Sequence, residues 1–313
     1  MRELEQEIVA TPDSDDPRMV YADWTEDIAR GEFIAVQCAL ARELDLALVE
    51  RERELLHAHG ARWIAEYGVR PKLLPAIAFR RGFPEHVELD VDELATAQWD
   101  RMPLRSVVVC GVRHVVAIAD RAAIPGVTRF GLRNAVLDAS AWRTLANAPL
   151  VVGAEMLALH RGRFHEIASL LDLELPALRS LFLDDPNMRL VENLARARWA
   201  PQLRSLRIRD SQGLAIGRLL SAKTWRLREL RIETSLADST LARLATAPVM
   251  ETVEQLEVAI GFGDFQAVRA FAHAKALPAL KRFVVRGEAR DSDLERLRER
   301  WGRKLTVQRE PTV

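Results

Sequence analysis

Apolar residues along most of this chain return in one six-residue spacing, apolar-x-x-apolar-x-apolar. The run "LRSLFL" places Leu178, Leu181 and Leu183 in that frame. It recurs in "LRSLRI" (Leu203, Leu206, Ile208), "LRELRI" (Leu227, Leu230, Ile232), "VEQLEV" (Val253, Leu256, Val258) and "LKRFVV" (Leu280, Phe283, Val285). Toward the N-terminus come "AEMLAL" (Ala154, Leu157, Leu159), "VTRFGL" (Val127, Phe130, Leu132) and "LRSVVV" (Leu104, Val107, Val109). Val87 with Leu89, and Leu305 with Val307, make weaker first and last copies. The middle apolar residue thus falls at 87, 107, 130, 157, 181, 206, 230, 256, 283 and 305, a spacing of 20 to 27 residues. The last three positions of each copy alternate, which predicts a short strand.

Between the strands the period changes. "SAWRTLANAP", "VENLARARWAP" and "STLARLATAP" carry apolar residues at helical spacing, as in Trp142 with Leu145 and Leu241 with Leu244. Asp138, Asp238 and Ser292 are candidate helix caps. A proline (103, 125, 149, 176, 201, 248, 278) precedes most of the strands; it cannot continue a helix and turns its neighbour toward extended structure. Strand, helix and proline at a period of 20 to 27 residues resemble a leucine-rich repeat. The resemblance implies an α/β solenoid: a horseshoe with a parallel sheet on the concave face, helices outside, and each copy covered only by its neighbours. The repeat domain is expected over residues 76–313, with about ten strands. The copies depart from the family a few residues after the last apolar position, where Asn or Cys is usual. Asn187 is the nearest match, and Asp, Ser, Thr or Gly stand elsewhere.

Residues 1–75 lack the repeat and read as three or four amphipathic helices, a cap over the first rung. In the longest, Phe33, Val36, Leu40 and Leu44 keep a three-to-four spacing. Within the cap, "DSDDPRMVYADWTEDIARGEFIAVQ" (13–37) resembles the short repeat-companion domain that accompanies repeat proteins in myxobacteria and planctomycetes. Asp16, Pro17, Arg18, Val20, Tyr21, Ala22, Asp23 and Trp24 carry the first half of its pattern, and Arg30, Gly31, Glu32, Phe33, Ile34 and Gln37 the second. "FRRGF" (79–83) matches loosely, and the turn "TEDIA" is shorter than is usual there. The resemblance implies a bacterial source and a repeat partner domain, and no activity. On physical grounds Arg18, Asp23 and Glu32 are expected to cap and pair, and Tyr21, Trp24 and Phe33 to pack; docking of a partner around Trp24 is the alternative.

Composition changes the picture little. Net charge is zero, but residues 1–75 hold 16 acids and 9 bases, so that segment stands at −7 and the remainder at +7. Cys38 and Cys110 have no metal-ligand spacing and fit a reducing cytosol better than a disulfide. No apolar run spans a membrane, and the charged start "MRELEQEIVA" is unlike a secretory signal. A cytoplasmic protein is expected. No P-loop, dinucleotide fingerprint or nucleophile elbow is present; "GFGDF" (261–265) reads as a turn, the His57/His59 pair as a solvated helix end, and His160/His165 lack metal register. No cofactor, metal or catalytic residue is expected.

In a parallel ladder the residues flanking the inward apolar positions face the other way. They include Arg129, Arg133, His160, Phe182, Arg207, Arg209, Arg231, Arg282 and Arg286. Guanidinium forks beside an exposed aromatic are typical of interaction surfaces. The expectation is a non-catalytic module binding an acidic protein or peptide on that face. Nucleic acid is disfavoured, since Glu229, Glu233 and Glu257 share the row and no stacking series exists. The alternative is self-assembly, with the acidic cap of one copy on the arginine row of another.

Overall fold

The computed structural model describes residues 1–70, 77–112, 115–120, 123–162, 172–186, 188–194, 196–211, 216, 225–234, 243–260, 266–274, 277–287 and 291–308. His165, Asn187, Asp238, Leu241 and the "GFGDF" run lie outside them. The chain is α/β. Four helices come first: α1 (Arg2–Ala10), α2 (Asp16–Trp24), α3 (Ile28–Arg42) and α4 (Leu46–Ala65). Among the described residues eleven strands follow: β1 (Ile77–Arg80), β2 (Phe83–Asp90), β3 (Ser106–Cys110), β4 (Arg129–Arg133), β5 (Met156–His160), β6 (Ser180–Asp184), β7 (Ser205–Asp210), β8 (Glu229–Thr234), β9 (Gln255–Ile260), β10 (Arg282–Arg286) and β11 (Leu305–Gln308). Their order in the sheet is their order in the chain. Between them lie α5 (Val116–Ala119), α6 (Ala139–Ala146), α7 (Pro149–Val152), α8 (Met188–Leu194), α9 (Gln266–His273) and α10 (Asp291–Trp301). The chain divides into two compact units, Met1–Gly131 with Ala148–Leu150, and Leu132–Asn147 with Val151–Val313.

In the first unit the cap is held by a hairpin whose first strand, β1, is absent from the repeat count. β1 pairs antiparallel with β2 through a two-residue turn at Arg81 and Gly82, both with positive φ, the backbone that matches strand twist in tight hairpins. This strand brings the number to eleven rather than ten. The helices pack on the hairpin in two clusters, Ile8, Ile34, Cys38 and Phe83 in one, Phe33, Leu55 and Trp63 in the other. The long helix expected through Leu44 is two helices. α3 stops at Arg42, Glu43 is extended, and Asp45 starts α4 by accepting the N–H groups of Ala47 and Leu48. Leu44 is consequently 77% exposed instead of packed.

The second unit repeats one backbone device. The carbonyls of Glu155, Arg179, Arg204, Arg228 and Glu254 each accept two consecutive N–H groups from the start of the next strand. Parallel pairing then aligns Leu157, Leu181, Leu206, Leu230, Leu256, Phe283 and Leu305 in one row. Directly after several strands the chain turns through a left-handed residue. Asn134, Arg161, Asp185 and Gly287 have positive φ, and each donates its N–H to a carbonyl at the end of the following strand, that of His160, Asp184, Arg209 and Gln308 respectively. The inward apolar pairs of β3 through β10 are at most 2% exposed, whereas Leu305 and Val307 are half-buried on the last strand.

Between the strands, Asp138 caps α6 by accepting the N–H of Ala141. Ser292 is inside α10 rather than ahead of it. Pro201 and Pro248 sit in the 3-10 turns that lead into β7 and β9. Buried Asp210 accepts the N–H of Ile216 across its loop, the service an asparagine would perform there. No helix among the described residues is long and apolar enough to cross a membrane.

Candidate functional site

The inward-facing residues of the "DDPRMVYADW…RGEF" pattern have packing roles in the first unit. Arg18 is fully buried; its Nη1 donates to the Ser14 carbonyl at 2.7 Å, its guanidinium lies 5.7 Å from the Phe83 ring, and Glu85 stands 3.9 Å away. Burial lowers the pKa of Arg18 and raises that of Glu85, in each case against the attraction of opposite charges nearby. Arg30 is boxed by Trp63, Phe79 and Phe83 at 5.0 to 5.3 Å and donates to the Tyr67 hydroxyl. Gly31 lets α2 and α3 touch, since a Cβ there would stand 2.6 Å from the Ala22 carbonyl oxygen. Phe33 stacks on Trp63 at 4.9 Å, and Tyr21 meets Phe83 edge-on at 5.1 Å. Gln37 holds the hairpin turn by accepting the Gly82 N–H and donating to the Phe79 carbonyl. Glu32 pairs with Arg51, not with Arg18 or Asp23.

Two residues of the pattern depart from expectation. Asp23 is exposed, and Trp24 is 72% exposed, while the six other tryptophans are buried. With 3.6 residues per turn Trp24 stands about 120° around α2 from buried Arg18, on the side where Val20 and Asp23 are also exposed.

The flanking residues of β5 to β10 form one face of the second unit in three rows, set by the parallel register. The first runs Met156, Ser180, Ser205, Glu229, Gln255, Arg282; the second Ala158, Phe182, Arg207, Arg231, Glu257, Val284; the third His160, Asp184, Arg209, Glu233, Ala259, Arg286. Strands about 4.8 Å apart put same-row neighbours within side-chain reach. Here the arginines of the second and third rows are paired rather than bare. Glu233 accepts from Arg207 Nε at 3.0 Å and Arg209 Nε at 2.9 Å, and lies 2.9 Å from Arg231 Nη2. Glu257 Oε1 is 3.1 Å from Arg231 Nε and 2.8 Å from Arg286 Nε. Asp184 stands 3.7 Å from both Arg209 and His160. Burial opposes ionisation of Glu233, but hydrogen bonds from Arg209 and Arg207 and the charge of Arg231 outweigh it and hold its pKa below the ordinary value.

Phe182, expected as an exposed aromatic, is 7% exposed. The Arg207 guanidinium covers its ring at 4.8 Å and His160 meets it edge-on at 4.9 Å. Burial, reinforced by the charge of Arg133, brings the His160 pKa down to about 4 against the pull of Asp184. His160 is therefore neutral near pH 7 and adds no positive charge. Arg282 is exposed and forms no ion pair with any described residue. Arg129 is exposed in the first unit and belongs to no cluster of the second.

Sequence reasoning missed the feature between these rows. A cavity of about 270 Å³ opens on the face; its polar lining includes Ser180, Ser205, Glu229, Gln255 and Arg282, with Arg207 and Arg231 beside them. Ser180, Ser205 and Gln255 carry no charge pattern that marks them in the sequence, and Glu229 reads there only as a charge opposed to phosphate. Placing the copies in register would have set Arg209 beside Glu233 and Arg231 beside Glu257. No group of three or more potential metal ligands occurs among the described residues. Neither a scan against protein-family models nor a search of the curated proteins returned a match.

Proposed function

We propose that this chain is a degenerate leucine-rich-repeat solenoid from a bacterial cytoplasm, and that it acts without catalysis by docking an acidic segment of another protein on the face of β5 to β10. The observation that carries the reading is the cavity bordered by Arg207, Arg231 and Arg282. Two of these guanidiniums are already fixed by Glu233 and Glu257, so docking would immobilise few new rotamers. Arg282 supplies an unpaired fork for a carboxylate, and Ser180, Ser205 and Gln255 supply neutral hydrogen bonds. Glu229, Glu233 and Glu257 on the same face oppose a phosphate backbone. The division of charge, −7 against +7, supports self-assembly as the second reading.

The test is affinity capture from the source cytosol at near-physiological salt, comparing wild type with Arg282→Glu and with Ser205→Tyr, which fills the cavity. The reading expects a partner that both substitutions release and Trp24→Ala retains. A partner insensitive to both removes the face from consideration. Oligomers that dissociate as salt rises, with no partner captured, favour the second reading.

A further inference from the structure

Among the described residues nine large hydrophobic side chains are exposed, and seven of them fall between Met1 and Val49. Three belong to or follow α2: Val20 at 42%, Trp24 at 72% and Ile28 at 85%. On α2, positions 16, 20, 23 and 24 share one helical face, so its outer stripe reads Asp16, Val20, Asp23, Trp24. The opposite stripe, with Arg18 and Tyr21, is buried or half-buried against Phe83. Packing thus accounts for the inner half of the motif and leaves the outer half without a structural task.

The surroundings of this stripe are acidic. Asp16, Asp23 and Glu26 are exposed and form no ion pair with any described residue. The nearby carboxylates that do pair, Asp27 with Arg62 and Glu32 with Arg51, use the local cations. The only cation on α2 itself, Arg18, is buried. Trp24 closes the C-terminal turn of α2, where the helix dipole adds negative potential. An exposed indole in negative potential attracts a cation to its face; Val20, one turn earlier on α2, offers apolar area on the same stripe, and Ile28 is exposed four residues further along the chain.

We propose that the outer stripe of α2 is a second docking surface, and that its occupant is a basic segment of a partner protein. A lysine or arginine of that segment stacks on Trp24, the neighbouring apolar side chain covers Val20 and Ile28, and Asp16, Asp23 and Glu26 provide the charge complement. This surface is chemically opposite to the arginine-bearing face of the second unit and does not depend on it.

The test is selection of a displayed library of random twelve-residue peptides on the full chain, with counter-selection on Trp24→Ala. Because Trp24 is 72% exposed, that variant is expected to fold and melt as wild type does. The proposal expects enriched peptides with Lys or Arg next to Leu, Met or an aromatic residue. The synthetic form of the leading peptide, followed by fluorescence anisotropy, should lose about tenfold in affinity on Trp24→Ala, as for an aromatic hot spot. It should lose about fivefold on the double variant Asp23→Asn, Glu26→Gln, and weaken as salt rises. Failure to enrich anything over the Trp24→Ala control overturns the proposal, as does enrichment of acidic or uncharged peptides. Sedimentation showing wild type to self-associate through Trp24 would make the occupant a second copy and overturn it equally.

Discussion

Glu233 is the hub of the charged face, and replacing it by glutamine is the sharpest perturbation available there. Three guanidiniums, from Arg207, Arg209 and Arg231, lie between 2.5 and 2.9 Å from its oxygens at closest approach. The Glu233 side chain is 16% exposed and the arginines 29 to 44%, so solvent screens each pair, and each contributes on the order of 0.5 kcal/mol. Glutamine keeps the shape and one acceptor oxygen, but the mutual repulsion of three guanidiniums is then uncompensated. Together these give a loss of about 1.5 kcal/mol for Glu233→Gln, or about 3 °C in melting temperature for a chain of this size. The pH dependence gives a second handle. The folded pKa of Glu233 lies below its ordinary value of 4.5, so its contribution is fully present above that value and is lost as pH falls through the lowered one. Urea unfolding of wild type and variant at pH 7, then in steps into acid, should show a gap that begins to close as pH falls below 4.5 and is lost through the lowered pKa of Glu233, and that narrows with salt at neutral pH. A variant as stable as wild type at pH 7, or a gap that persists unchanged in acid, would refute the assignment of Glu233 as hub.

Two further outcomes follow from the same geometry. Gly31→Ala should destabilise the cap by about 2 kcal/mol, although alanine is the better helix former by about 1 kcal/mol, because its Cβ would meet a backbone oxygen; a raised melting temperature by circular dichroism would contradict the close approach of α2 and α3. His160, with its pKa lowered to about 4 from about 6.5 in the unfolded chain, should contribute stability that is present above pH 6.5 and lost as pH falls toward 4. Its ring resonances should stay those of a neutral imidazole at pH 5.5, and His160→Gln should flatten the stability profile in that window, above the one assigned to Glu233.

The strand register was legible in the sequence, because alternation over three positions is a local signal and copying it at a fixed period leaves a single alignment. Leu157, Leu181, Leu206, Leu230, Leu256 and Phe283 lie in one row for that reason. Asp138 as a cap of α6 was legible on the same grounds, since its side chain acts three residues away. Candidate site residues were legible only as members of a face. That Arg207, Arg209 and Arg231 converge on one carboxylate depends on bringing Arg207 and Arg209, 26 and 24 residues away on the adjacent strand, to Glu233 beside its strand-mate Arg231, and on rotamers that no spacing rule specifies.

Residues 13–37 make the division plain. Their pattern marked them as one unit, but it did not separate the Arg18 that is buried under Phe83 from the Trp24 six residues on that stands in solvent. That distinction was made by the β1–β2 hairpin, whose first strand and turn are absent from the periodic signal and which packs against α2 and α3 through Phe79 and Phe83. The sequence by itself determined which residues alternate, repeat and cap, since those are relations between near neighbours in the chain. The tertiary structure decided which charges neutralise one another and which aromatic is left uncovered, because both depend on the segment that packs against the residue and lies far from it in sequence.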